Sequence, residues 1–254
     1  MAKVYFIGAG PGDPELITLK GKRLLEVADV IIYAGSLVNN VLLEGLKAVI
    51  YDSASMTLDD VIQVIEKAVG KDRNVVRLHT GDPALYGAIS EQIERLVALG
   101  IDYEIVPGVS SALAGAAVLG QELTIPEISQ TVIFTRMSGK TPVPENESLS
   151  KLAQHQATMV IFLSVGMIET LRNELLKGYP ANTPVVVVQK ATWPGQKIVR
   201  GTLHDIAGKV KEAGISKTAL IYIGKALKAS EESLGKTSML YDKAFTHEYR
   251  RGSE

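Results

Sequence analysis

The chain contains no cysteine. Disulfides, thiolate metal sites and cysteine nucleophiles are therefore excluded. Histidine is scarce: His79, His155, His204 and His247 are scattered, without the spacing that metal ligation requires. An excess of charge of either sign is also missing, because 27 Lys and Arg offset 28 Asp and Glu to leave a formal charge of −1 and a pI near 6.5. A general nucleic-acid or membrane surface would need a basic face, so neither partner is expected. No apolar run reaches the ~18 residues of a membrane span. The start Met1-Ala2-Lys3 leads into a short strand pattern, not a secretory signal. A cytoplasmic protein is the expectation. Repeats and low-complexity tracts are absent from the sequence as well.

One further absence is local. The opening stretch "VYFIGAGPGDPELIT" has Gly8, Gly10 and Gly12, but Asp13 stands where a dinucleotide-binding G-x-G-x-x-G would carry its third glycine. Pro11 also lacks the N–H that a pyrophosphate would seek. The turn is real, but its ligand is expected to be something other than NAD.

What is present is alternation. Strand patterns run over Val4–Gly8, Asp29–Ala34, Val75–His79 and Asp102–Val106, then Thr131–Thr135, Thr158–Leu163, Val185–Gln189, Ile198–Thr202 and Thr218–Gly224. Helical periodicity fills Leu19–Val27, Leu58–Val69, Ile89–Leu99, Ser110–Leu119, Met167–Lys177 and His204–Ala213. Such alternation predicts an α/β fold with largely parallel sheets. Val185–Val188 is apolar throughout, as a strand covered on both faces requires. Helical periodicity breaks in "LGQELTIPEIS", where Pro126 disfavours helix at the preceding residue. The expected domains are 1–120 and 121–230, followed by a tail, 231–254. That tail is polar yet carries Leu240, Tyr241, Phe245 and Tyr249, more aromatics than a linker needs, so it is expected to pack on the body or on a partner.

Four glycine- or proline-marked stretches follow strand patterns: "GAGPGDPELIT", "HTGDPALYG", "VPGVSSA" and "QKATWPGQ". Singly, each reads as a turn. Together they stand where open α/β sheets bind ligands. In order and spacing these stretches, with "KATWPGQKIVRGTL", resemble the tetrapyrrole methylases of cobalamin and sirohaem synthesis across essentially the whole chain. Thr131–Glu145, "TVIFTRMSGKTPVPE", and the tail "LYDKAFTHEYR" are similar to the precorrin-4 / cobalt-precorrin-4 carbon-11 methyltransferase branch. The resemblance implies two α/β domains, a homodimer, and S-adenosylmethionine bound in the cleft between the domains.

Carried over residue by residue, the resemblance implies that Pro11, Thr80, Gly81, Asp82, Leu85, Ser110, Ser111, Leu163, Ala191 and Ala219 bind the cofactor. Thr80 departs from the family pattern, which has glycine there. The chemistry suits these types: S-adenosylmethionine has a flat adenine, a ribose diol, an amino-acid end and a sulfonium, but no phosphate. Small residues and backbone groups can read the first two in a largely apolar pocket. Asp82 can either offset the cofactor's positive charge or cap a turn. The ring substrate, a polycarboxylate, calls for cations, and arginine binds both oxygens of a carboxylate. Arg136 leads these candidates, with Lys140, Arg77 and His79 beside it and Lys190 and Arg200 behind. Each also has a reading as plain surface charge or packing. No catalytic base and no metal are assigned, because the conjugated ring supplies its own nucleophilic carbon and the enzyme mainly positions it and excludes water. The alternatives are a sister methylase acting on another ring carbon or on uroporphyrinogen III, and a non-catalytic tetrapyrrole carrier.

Overall fold

A computed structural model describes residues 2–228 and 238–252. Residues 231–237 and 253–254 of the expected tail, and the expected domain end at 230, lie outside the described residues. The chain divides into two compact units, Met1–Ala114 with Lys190–Gln196, and Gly115–Gln189 with Lys197–Glu254. The "KATWPGQ" segment thus belongs to the first unit.

The first unit is built on five parallel strands: β1 (Val4–Gly8), β2 (Val30–Tyr33), β3 (Val49–Asp52), β4 (Val75–His79) and β5 (Tyr103–Val106), in the order β3-β2-β4-β1-β5. Helices α1 (Leu19–Glu26), α2 (Leu58–Val69), α3 (Ser90–Ala98) and α4 (Ser111–Val118) follow their strands. Helix α2 starts where Thr57 and Asp60 cap each other: the Asp60 N–H donates to Thr57 Oγ1 (3.2 Å) and the Thr57 N–H to Asp60 Oδ2 (2.8 Å). Its Val61, Ile62, Ile65 and Ala68 then recur at helical spacing and bury against Val4, Phe6, Val30 and Ile32. Each such valine, isoleucine or phenylalanine contributes roughly 1.5–3 kcal/mol on burial. On the opposite face of the sheet, Ile7, Ile31, Val76 and Leu78 pack with Ile17 and Leu25. Both faces are covered, as a parallel sheet requires.

The second unit corrects one expectation. Its strands are β6 (Val132–Arg136), β7 (Thr158–Phe162), β8 (Pro184–Gln189), β9 (Lys197–Thr202) and β10 (Ala219–Ile223), in the order β6-β7-β10-β8-β9. Only β6 and β7 pair in parallel; β10 with β7, β10 with β8, and β8 with β9 are antiparallel. The unbroken apolar run in β8 reports burial of both faces, not strand direction, so it could not distinguish the two. Helices α5 (Leu149–Leu152), α6 (Ile168–Leu175) and α7 (Ile206–Glu212) complete the unit. Leu171, Leu175, Ile206 and Val210 bury against Met159, Ile161, Val185, Val187 and Ile221.

Two elements escaped the sequence. Strand β3 is a four-residue edge with every residue exposed, and α5 is a single turn. In the tail, the Arg250 guanidinium gathers the chain by donating to the carbonyls of Leu240 and Asp242. Tyr241 and Tyr249 point outward, 80% and 87% exposed.

Candidate functional site

Strand order sets the site of the first unit. Because β4, β1 and β5 are parallel neighbours, their carboxyl ends lie side by side, and so do the loops that leave them. These loops meet through bare backbone. A Cβ on Gly8 would stand 2.5 Å from the Gly81 carbonyl oxygen and 2.6 Å from the Gly108 Cα; one on Gly108 would stand 2.2 Å from the same oxygen. Only glycine allows this approach. The junction is closed by backbone pairing: the Gly81 N–H donates to Gly10 O (2.8 Å), the Gly10 N–H to Gly81 O (3.3 Å), and the Ala9 N–H to His79 O (2.7 Å).

Asp82 joins the second loop to the third. Its Oδ1 accepts from the Ala84 N–H (2.8 Å) and its Oδ2 from the Gly108 N–H (2.9 Å). Both carboxylate oxygens are thus engaged by backbone, which is the turn-capping use of the residue. Gly81 keeps open space beside it, since the nearest atom to a Cβ there would be the Ser111 nitrogen at 3.6 Å. Around it stand half-buried Thr80, Leu85 and Ser111 and buried Ser110, whose Oγ accepts from the Ala112 N–H (3.3 Å) at the start of α4.

A fourth segment closes on the first loop. The Trp193 indole N–H donates to Pro11 O (2.9 Å), and the Asp13 N–H donates to Thr192 Oγ1 (2.9 Å). From the other side the Asn39 amide donates to Gly12 O (2.8 Å). Ala191 is buried in the same segment. Pro11, Thr80, Gly81, Asp82, Leu85, Ser110, Ser111 and Ala191 are all found in this one loop cluster. Beside their backbone groups these loops carry the hydroxyls of Thr80, Ser110 and Ser111. Pro11, which has no N–H, and Asp13 in place of a third glycine set the first loop apart from a pyrophosphate loop.

Arg77 and His79 lie beneath the cluster. They alternate with Val76 and Leu78, so they share the face covered by α2 and α3. Arg77 donates from Nε to Gln92 Oε1 (3.1 Å) and from Nη1 to Ile32 O (3.1 Å); burial lowers its pKa to about 10, so it stays charged at neutral pH. Burial, then the Arg77 charge, push the His79 imidazole down to about 3. It is neutral, and its Nε2 is buried without a hydrogen-bond partner. Both residues are used in the interior.

In the second unit the remaining candidates gather at one end of the sheet. Arg136 pairs with Phe162 in the β6–β7 register, and Leu163 follows directly. Ala219 opens β10, which runs antiparallel to β7 and so starts at the same end of the sheet. Leu163 is 71% exposed and held at φ +54°, a left-handed conformation that leucine seldom adopts. Strain of that kind concentrates at functional positions. Arg136 donates to Thr141 O (3.1 Å) and Pro142 O (2.8 Å), folding the loop that carries exposed Lys140. Among the described residues, no group of three metal-ligating side chains occurs.

The family model of tetrapyrrole (corrin/porphyrin) methylases matches residues 3–207. The chain belongs to this family. A relative from Methanocaldococcus jannaschii, named cobalt-precorrin-4 C(11)-methyltransferase, is 59% identical over 252 residues, 98% of this chain and 96% of the relative. A solved cobalt-precorrin-4 methyltransferase, described as a cobalamin biosynthetic enzyme, superposes with a TM-score of 0.87 at 49% identity, covering 89% of this chain and 95% of that one. The uroporphyrin-III C-methyltransferase of Thermus thermophilus, solved with S-adenosylhomocysteine, gives a TM-score of 0.78 at 30% identity over 90% of this chain and all of that one.

Within this tetrapyrrole methylase, sequence reasoning passed over Trp193, Thr192 and Asn39. The signal for the first was present: it is the chain's single tryptophan, set between threonine and Pro-Gly in a turn.

Proposed function

We propose that this tetrapyrrole methylase uses S-adenosylmethionine to methylate carbon 11 of precorrin-4 or cobalt-precorrin-4 in cobalamin biosynthesis. The observation that carries the cofactor is the glycine junction: three loops in backbone contact, fringed by the hydroxyls of Thr80, Ser110 and Ser111. The carbon follows from the names of the full-length relatives. Bound S-adenosylmethionine supplies an electrophilic methyl group on a sulfonium.

The chain's own residues hold and orient. In this reading Pro11, Thr80, Gly81, Leu85, Ser110, Ser111 and Ala191 bind the cofactor from the first unit, and Leu163 and Ala219 from the second. Asp82 holds two loops together and leaves the cofactor's amino group to other partners. Lys140 meets a ring carboxylate, and Arg136 shapes the loop that presents it. Arg77 and His79 support the floor from within. The reading includes a homodimer working in the cytoplasm, which sedimentation of the purified protein and fractionation of cells would check.

Calorimetric titration with S-adenosylhomocysteine tests the cofactor. Saturable binding is expected. Its absence would favour the carrier, which has no need of these loops. Methylation of uroporphyrinogen III in place of the precorrin would favour the sister methylase.

A further inference from the structure

The first loop is held from outside its own sheet. Pro11 O accepts from Trp193 and Asp13 N–H donates to Thr192, both on the segment Lys190–Gln196. Contact there is tight: a Cβ added to Gly12 would lie 2.1 Å from Trp193 Cδ1 and Nε1. The indole therefore occupies the space over Gly12 that any other residue would fill.

The segment adopts an unfavourable conformation to do this. Thr192 has φ +69° and Lys190 φ +49°. For a β-branched residue that region is a genuine outlier, which persists only when its surroundings over-determine it. Here they do. Thr192 N–H donates to Gln196 Oε1 (2.8 Å) while its Oγ1 accepts from Asp13, and Trp193 N–H returns to Lys190 O (3.0 Å). A turn that merely reversed the chain would need neither the strain nor the reach.

We infer that Trp193 is a positioning residue: its segment fixes the Pro11–Gly12 loop in one conformation before S-adenosylmethionine arrives, and so sets the affinity for that cofactor. The inference rests on the cofactor reading proposed above. Its logic is preorganisation, because a loop already ordered need not be ordered on binding.

The test uses Trp193→Phe, which keeps a ring over Gly12 and removes the indole donor, and Gly12→Ala, which expels the indole. Far-UV circular dichroism and thermal unfolding establish that both fold. Calorimetry with S-adenosylhomocysteine is expected to show Kd raised about two- to twelvefold for Trp193→Phe, the range for one lost neutral hydrogen bond, and further for Gly12→Ala. With saturating S-adenosylmethionine kcat should return toward wild type. Hydrogen exchange supplies the readout that a merely structural role would not move. Amides of residues 9, 10, 12 and 13 should lose protection in Trp193→Phe while β4 and β7 keep theirs. As the single tryptophan, Trp193 also reports directly, and its emission should change on cofactor binding and shift in Gly12→Ala.

Unchanged Kd and unchanged protection of residues 9, 10, 12 and 13 in both variants would overturn the inference. Protection lost uniformly across the chain would overturn it too, making Trp193 a general stabiliser. If wild type shows no binding at all, the cofactor reading fails and the affinity claim falls with it. Hydrogen exchange then still decides whether Trp193 holds the loop.

Discussion

The loop cluster of the first unit and the strand ends of the second, the two regions proposed to bind ligands, are built in different ways. In the first, three loops meet backbone to backbone through glycines, and the Asp82 carboxylate is spent on two N–H groups. In the second, a guanidinium shapes a loop, an exposed leucine is held under strain, and a lysine stands in solvent. Backbone recognition is rigid and neutral, suited to a cofactor that never varies. Charged side chains on a loop suit a polycarboxylate.

The backbone device should break first and hardest. Gly108→Val puts a branched side chain where a single Cβ already lies 2.2 Å from Gly81 O, and backbone cannot step aside. A loss of about 3 kcal/mol is expected, at the upper end of overpacking costs, measured as the urea midpoint. A shift under about 0.5 kcal/mol would mean that the three loops do not touch.

The floor beneath that device should reveal itself through pH. The folded His79 sits at about 3, below the ordinary imidazole value of 6.5, because burial and Arg77 oppose its charge. Between those values the unfolded chain binds a proton that the folded chain does not. The stabilising contribution is therefore full above about pH 6.5 and is lost as pH falls, by up to about 1.4 kcal/mol per unit. Urea titrations from pH 7 to 4.5 should show this slope in wild type and a flatter one in His79→Asn. Parallel slopes would place the acid sensitivity elsewhere.

Side-chain recognition should yield more gently, and on the ring alone. Arg136→Ala removes the donor to Thr141 and Pro142 carbonyls, so the loop loosens and KM for the ring is expected to rise about tenfold, the effect of one charge-assisted bond. Arg136→Lys should recover little, since an ammonium cannot span two carbonyls as the fork does. Cofactor Kd should stay constant in both, and an equal loss for the two ligands would end the division of labour. Lys140→Ala should have the smallest effect. An exposed pair is worth about 0.2–1 kcal/mol, so KM should rise a fewfold at low salt and the difference should fade at high salt.

Much of this was legible in the sequence, for identifiable reasons. Strands β1 and β4 begin and end where the patterns Val4–Gly8 and Val75–His79 do, because glycine and a Gly-Asp-Pro turn punctuate them. Helix α2 runs exactly over Leu58–Val69, fixed by its capping threonine and the following glycine. Strand direction in the second unit was not legible, since an apolar run does not encode it. Nor was β3, whose exposed edge gives no alternation. At the site, residues adjacent in a motif were found together, whereas partnerships across the sequence were hidden. Trp193 on Pro11 spans 182 positions, and no local pattern links a tryptophan in one turn to a carbonyl in another. Arg77 read as a candidate for a ring carboxylate, or as surface charge, because its neighbours in sequence do not show that Gln92 and Ile32 would receive it.

The central claim is methyl transfer to one ring carbon. The direct measurement incubates the purified protein with precorrin-4, and separately with cobalt-precorrin-4, in the presence of S-adenosylmethionine carrying a carbon-13 methyl group, and locates the label by NMR. A single new methyl resonance coupled to carbon 11, in one or both products, is the expected result. Label at another ring carbon, or an unlabelled ring recovered with intact cofactor, would contradict the account.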